Sequence, residues 1–187
     1  ICSGLVGSEM CIRDSSYRDF REEAEKNNFN YFLEVFNPQT KTGLNQLQLG
    51  EYVNDCILKT LAGQLKSERP LFLKIAYNGP KAMEELAGYD PKNLIVGILG
   101  GGKGTTRDCF ELISKSCKYG AKVALFGRKI NLAEDQQLIV KTMRDVVNGM
   151  TSTEGVKFYH DQLKKKKIKP DRSLDKDLMI TEKVLRL

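Results

Sequence analysis

Four short, almost wholly apolar runs, each followed by a longer charged and amphipathic stretch, constrain this chain more than any other feature. The runs are NYFLEVF (30–36), RPLFLKIAY (69–77), NLIVGIL (93–99) and AKVALFG (121–127). Strands that are apolar throughout, rather than alternating apolar and polar, are those covered on both faces. Between them lie helix-like segments: YRDFREEAEKNN before the first run, then LGEYVNDCILKTLAGQLKSE, NGPKAMEELAGY and TTRDCFELISKSCKYG. In the second of these, Tyr52, Val53, Cys56, Ile57, Thr60, Leu61 and Leu65 recur near helical spacing. Two further helices, NLAEDQQLIVKTMRDVVNG and TSTEGVKFYHDQLKKKK, follow the last run. Pro80 suits the start of one helix, Pro70 the start of a strand, and Thr105 with Asp108 has capping-box spacing. Strand and helix in alternation predict βαβ units around a parallel sheet, an α/β fold. The sheet is either open and doubly wound or part of a (β/α)8 barrel. Four units occupy about 130 residues, whereas a whole barrel needs roughly 200–250.

Two charges interrupt the apolar runs. In LFLKIAY, alternation puts Phe72, Lys74 and Ala76 on one face, opposite Leu71, Leu73 and Ile75. In YFLEVF, Phe32, Glu34 and Phe36 share a face opposite Leu33 and Val35. The aliphatic faces suit the helix layer, so Lys74 and Glu34 are expected on the other side. Burying a lysine disfavours its ammonium form, and a neutral amine attacks carbonyl carbon to form a Schiff base. A neighbouring carboxylate then shuttles protons between the carbinolamine and imine. The alternative is a structural Lys–Glu ion pair, or a lysine that protects a sheet edge.

GILGGGKGTT (97–106) looks at first like a nucleotide-binding P-loop. That motif needs Ser or Thr directly after its lysine to hold magnesium. Gly104 follows Lys103, and Thr105 comes one place late. Read one register differently, Gly97 belongs to the strand and Gly100, Gly101 and Gly102 form a turn that admits an anion close to the backbone, with the amides of the next helix behind it. Lys103 either touches that anion or is solvated. The next strand ends in FGRKI, where Gly127 precedes a short helix and Arg128 offers a planar guanidinium fork. Tight turns alone would explain either glycine end. Two in succession match the phosphate site after strands seven and eight of many barrels.

With FLEVF, FLKIAYNG, GGG and ALFGRKI in view, residues 30–136 resemble the C-terminal half of the class I, Schiff-base aldolase barrels. The resemblance is to the archaeal-type fructose-bisphosphate and tagatose-bisphosphate aldolases and their relatives. It implies that Lys74 is the imine-forming lysine of strand six and Glu34 the proton-transferring glutamate of strand five. It implies further that Gly100, Gly101, Gly127 and Arg128 hold substrate phosphate, and Gly102, in the same glycine turn, is expected to join them. The fold is then a partial (β/α)8 TIM barrel, strands five to eight plus C-terminal helices. The activity is carbon–carbon cleavage or formation on a phosphorylated ketose or ketone, with no cofactor and no metal. AYNGPKAMEEL departs from the commonest loop after that lysine, and the family's strands one to four have no counterpart. A non-catalytic sugar-phosphate-binding barrel is the alternative function, and a P-loop NTPase ranks third.

The remaining residues mainly exclude. His160 is the only histidine, and Cys56, Cys109 and Cys117 are scattered. Zinc-ligand spacing and Ser-His-Asp or Cys-His catalysis are therefore not expected. Reduced thiols fit a cytoplasmic location. No apolar run reaches the roughly 20 residues of a membrane helix. Lys164, Lys165, Lys166 and Lys167 read as a solvated helix end, without the aromatics of a nucleic-acid surface. ICSGLVGSEMCIRDS (1–15) has no usable period and is similar to a translated sequencing adapter, so it is expected to be a non-native extension. Residues 16–168 form the half barrel, and 169–187 a polar tail or loosely packed arm. Half a barrel leaves two open edges, so the chain by itself is expected to be inactive and to self-associate as a homo-oligomer or aggregate.

Overall fold

The computed structural model describes the backbone of residues 7–187 and the side chains of residues 16–187. The first helix, α1 (Gly7–Lys26), begins inside the stretch that carries no helical period. The expected extension over 1–15 otherwise lies outside the described residues. Strand β1 (Leu33–Val35) follows, then α2 (Gln46–Leu61), β2 (Phe72–Ile75), α3 (Pro80–Tyr89), β3 (Ile95–Leu99), α4 (Thr106–Lys118) and β4 (Val123–Leu125). The chain continues through the short α5 (Arg128–Asn131), then α6 (Gln136–Val147), α7 (Ser152–Lys165) and the short α8 (Leu174–Asp177). No described helix is long and apolar enough to cross a membrane.

The four strands form one parallel sheet in sequential order, β1-β2-β3-β4. The architecture is α/β, as the alternation predicts. Leu73 and Ile75 of β2 and Val96 and Ile98 of β3 are buried against Val53, Ile57 and Leu61 of α2, Met83 and Leu86 of α3, and Leu112 of α4. The three crossover helices therefore share one face. Burial along Phe72–Ile75 alternates accordingly, with Leu73 and Ile75 inside. The opposite face carries no helix layer among the described residues, and Phe32, Phe36 and Ile95 on it are 46%, 62% and 44% exposed. A doubly wound sheet would carry helices on both faces. A second core joins Phe110 of α4 to Ile139, Met143 and Val146 of α6 and Val156, Tyr159 and Leu163 of α7.

Local chemistry explains the helix limits. Asn45 and Gln48 form a reciprocal capping box that starts α2 at Gln46, earlier than the apolar period alone indicates. Thr151 and Glu154 do the same for α7. Pro80 opens α3. Pro70 stands two residues before β2 rather than at its first position. Lys164, Lys165, Lys166 and Lys167 are exposed at the end of α7, as expected of a solvated helix end.

The tail corrects the expectation of a loose arm. Leu185 is wholly buried in the first core. Its docking point is the cap of α4. Thr105 and Asp108 form the predicted capping box, and Asp108 is also wholly buried. Its Oδ1 accepts hydrogen bonds from the Thr181 amide at 2.8 Å and the Glu182 amide at 3.2 Å. Its Oδ2 accepts from the Thr105 amide at 3.0 Å and the Thr181 hydroxyl at 2.5 Å. Thr105 Oγ1 donates to the Met179 carbonyl, and the Thr106 amide donates to Asp177 Oδ1 at 2.8 Å. The sequence shows the cap but not the arm's docking, because the arm's contacts are long-range; its apolar residues Leu178, Ile180, Val184 and Leu185, which pack into the cores, are the signal it offers.

Burial pushes the Asp108 carboxyl up, but the hydrogen bonds from Thr105, Thr181 and Glu182 outweigh it and hold the group below the ordinary aspartate value. A carboxylate whose folded pKa is depressed contributes stability above its unfolded pKa, and that contribution is lost as pH falls through the folded value. Asp108→Ala is expected to cost about 3 kcal/mol at pH 7, since several donors lose a buried charged acceptor. The wild-type advantage over Asp108→Asn should be full above about pH 5 and shrink progressively below about pH 4. Urea unfolding of the variants at several pH values measures both.

Candidate active-site face

The open side of the sheet brings the two strand charges together. Glu34 and Lys74 are register partners across β1 and β2. Lys74 Nζ lies 2.8 Å from Glu34 Oε1, and the two side chains are 22% and 29% exposed. Both groups are thus held by the sheet yet reachable from solvent. Directly before them, Phe32 and Phe72 stack with ring centroids 4.9 Å apart and planes 4° from parallel. This aromatic pair floors the site on the side toward the strand beginnings. Arranged so, the carboxylate can accept a proton from the ammonium and return it to a group bound there.

On the other side of Lys74, its register partner is Gly97. A Cβ at 97 would come 2.8 Å from the Leu73 carbonyl oxygen and 3.3 Å from Val123 Cβ. The glycine is therefore required by close packing of three strands, and it leaves the β3 side of Lys74 free of side chain. Gly97 belongs to the strand and not to a loop, as the shifted register predicts.

The two glycine ends also meet. Leu99 pairs with Leu125, so the residues after them emerge side by side. A Cβ on Gly100 would lie 2.9 Å from Phe126 Cδ1, which fixes Gly100 against the residue preceding Gly127. Gly101 has φ +64° and Gly104 has φ +60°, the left-handed region that glycine adopts without strain. Gly102 and Gly127 have open space around the Cβ position. Arg128, the first residue of α5, is exposed, and its guanidinium makes no ion pair or hydrogen bond among the described residues. From the Lys74 row to Gly100 is three residues along the sheet, roughly 10 Å. An extended lysine side chain and a short phosphorylated ketone together span that.

Other expectations around the loop change. Lys103 is neither free nor simply solvated, because it is paired with Asp171 of the C-terminal arm. The amino end of α4 is filled by the protein itself: the Thr106 amide takes Asp177, and the Asp108 amide takes Thr105 Oγ1. It does not stand open behind the glycine turn. His160 Nε2 contacts Asp177 Oδ2 at 2.9 Å, so the lone histidine serves the arm's anchorage. Cys109 is buried, and burial pushes its thiol up to about 12, outside the range of a nucleophile.

Two features escape sequence reading. Lys129 is buried, and its Nζ reaches Glu182 Oε1 at 3.0 Å and the Lys103 carbonyl at 3.4 Å. Its neighbourhood in FGRKI is visible, but its partner lies in the arm. Asn37 and Asn78 exchange amide hydrogen bonds of 2.8 and 2.9 Å, tying the ends of β1 and β2 just beyond Glu34 and Lys74. Their signal is only the pair of turn dipeptides, NP and NG.

The glycines separate by what surrounds them. Gly97→Ala should destabilise the protein by about 2 kcal/mol, because the obstructing atom is sheet backbone. Gly102→Ala should stay within about 0.5 kcal/mol of wild type. Chemical denaturation of both variants tests this contrast.

No family model matches the sequence, and no curated protein is significantly similar to it, so a reading of this face rests on its geometry.

Proposed function

We propose that this chain is the lysine-bearing part of an aldolase-like lyase, built as strands five to eight of a (β/α)8 barrel. One observation carries the reading: a strand lysine and a strand glutamate, 2.8 Å apart, on the helix-free face of a parallel sheet, beside a glycine that leaves the lysine approachable. The sequential strand order and one-sided helix layer support the barrel part. Under this reading four further βα units lie outside these 187 residues.

The chemistry follows from the groups. Glu34 takes a proton from Lys74, and the neutral amine adds to the ketone carbon of a phosphorylated ketose. Loss of water from the carbinolamine leaves a protonated imine. The bond between the carbons α and β to the imine carbon then breaks: the β-hydroxyl gives its proton to a base on the further βα units and becomes the released aldehyde, while the bond's electron pair forms the enamine double bond and the C=N pair moves to nitrogen. Glu34 assists proton transfer at the addition and hydrolysis steps. The amides of Gly100, Gly101 and Gly102, the Gly127 turn and the Arg128 guanidinium hold the phosphate. The free guanidinium of Arg128 favours this assignment, since a fork without a protein partner can meet an incoming anion. The ion pair of Lys74 with Glu34 is also what a non-catalytic sugar-phosphate-binding barrel would show, and such a barrel would bind phosphate without forming an imine.

The two readings part in a trapping experiment on the eight-unit protein. Treated with dihydroxyacetone phosphate and borohydride, wild type is expected to gain a reduced adduct on the peptide that contains Lys74. Lys74→Ala should gain none, and Glu34→Gln should be trapped about 100-fold more slowly. Saturable phosphate-ester binding with no adduct would replace the lyase with the binding protein. The same adduct in Lys74→Ala would remove the lysine's role.

A further inference from the structure

We infer that the 187-residue chain closes its open face with a second copy of itself, in a two-fold dimer whose sheets join edge to edge into one eight-stranded barrel. This does not depend on Schiff-base chemistry, and it concerns these 187 residues by themselves, without the four further βα units that the lyase reading places at the same edges. It rests on three observations about the open face and its edges.

The first is strand order. β1 and β4 are the two edges of a sheet that runs in unbroken sequence order. Every strand is parallel to its neighbour. With a two-fold axis along the strand direction, β4 of one copy meets β1 of the other in the same parallel sense, at both seams. Eight parallel strands is the number at which such a sheet closes around an interior filled by side chains. The interface is isologous, so it stops at two copies.

The second is the edges themselves. The Leu71 amide donates to the Tyr31 carbonyl, which turns Tyr31, Leu33 and Val35 toward β2. Alternation then turns the Glu34 amide outward. The Lys122 amide donates to the Val96 carbonyl, so the Val123 amide faces outward from β4. Helix α1 packs beside the turn before β2, with Arg21 3.3 Å from Glu68, and does not pair with the outer edge of β1. Both edges present backbone groups that parallel pairing would satisfy.

The third is the character of the face. At their exposures of 46% and 62%, Phe32 and Phe36 leave on the order of 200 Å² of aromatic surface in solvent, and Ile95, 44% exposed, extends it. Among the described residues, the charges that the strands place on the face are Lys74 and Glu34, and they pair with each other. Two such faces meet without like-charge repulsion.

Light scattering across a size-exclusion peak of the chain tests this, together with hydrogen exchange of the outward amides. The expected result is twice the chain mass, with the Glu34 and Val123 amides protected. Val123→Pro removes an outward donor without touching the β3 ladder and should abolish the dimer while circular dichroism stays unchanged. A monomer would overturn the proposal. So would a polydisperse series, which means edges pairing without closure, or a dimer in which those two amides exchange freely. Should Val123→Pro not fold, the amide exchange of the unmutated chain still decides.

Discussion

Sequential order in a parallel sheet is the constraint on which the rest of this structure depends. Each crossover in such a sheet turns the same way, so helices that join adjacent strands in order all land on one side. Here α2, α3 and α4 do so, burying Leu73, Ile75, Val96 and Ile98. Each such aliphatic side chain contributes roughly 1.5–3 kcal/mol when removed from water. The other face is left with only its own residues. That single asymmetry separates a face that stabilises from a face that is available for chemistry.

The available face inherits its layout from register. Because β1, β2 and β3 are aligned, Glu34, Lys74 and Gly97 fall in one row across the sheet. A shift of one residue in any pairing would send the lysine or the glutamate into the helix layer. The next row up brings Leu99 beside Leu125, and so the two glycine ends beside each other. The Lys74–Glu34 pair and the two adjoining glycine ends, at a fixed spacing along the strands, are thus consequences of the same ladder.

The sequence was most legible where local period and long-range contact agree. All-apolar runs give the strands, alternation gives the faces, and the cap at Thr105 is visible in its spacing to Asp108. The pairing of Lys74 with Glu34 was legible as a shared face and, in one reading, as an ion pair; that they stand directly opposite each other needed the register. The arm's docking was not legible. Residues 169–187 read as a polar tail despite Leu178, Ile180, Val184 and Leu185, yet Asp177, Thr181 and Glu182 complete the cap of α4, and Leu185 fills the core. Lys103 changes role and Lys129 gains one for the same reason, since Asp171 and Glu182 come from that arm. Polar contacts between residues about 50–80 positions apart leave no periodic trace in the chain.

The central claim is that the helix-free face, with its paired charges and adjoining glycine ends, is the working face. A crystal structure of the protein with a bound ketose phosphate tests it most directly. The phosphate is expected against the amides of Gly100, Gly101 and Gly102 and the Arg128 guanidinium, with the carbonyl carbon turned toward Lys74 Nζ. A phosphate seated away from these residues, or a ketone directed away from Lys74, would contradict it.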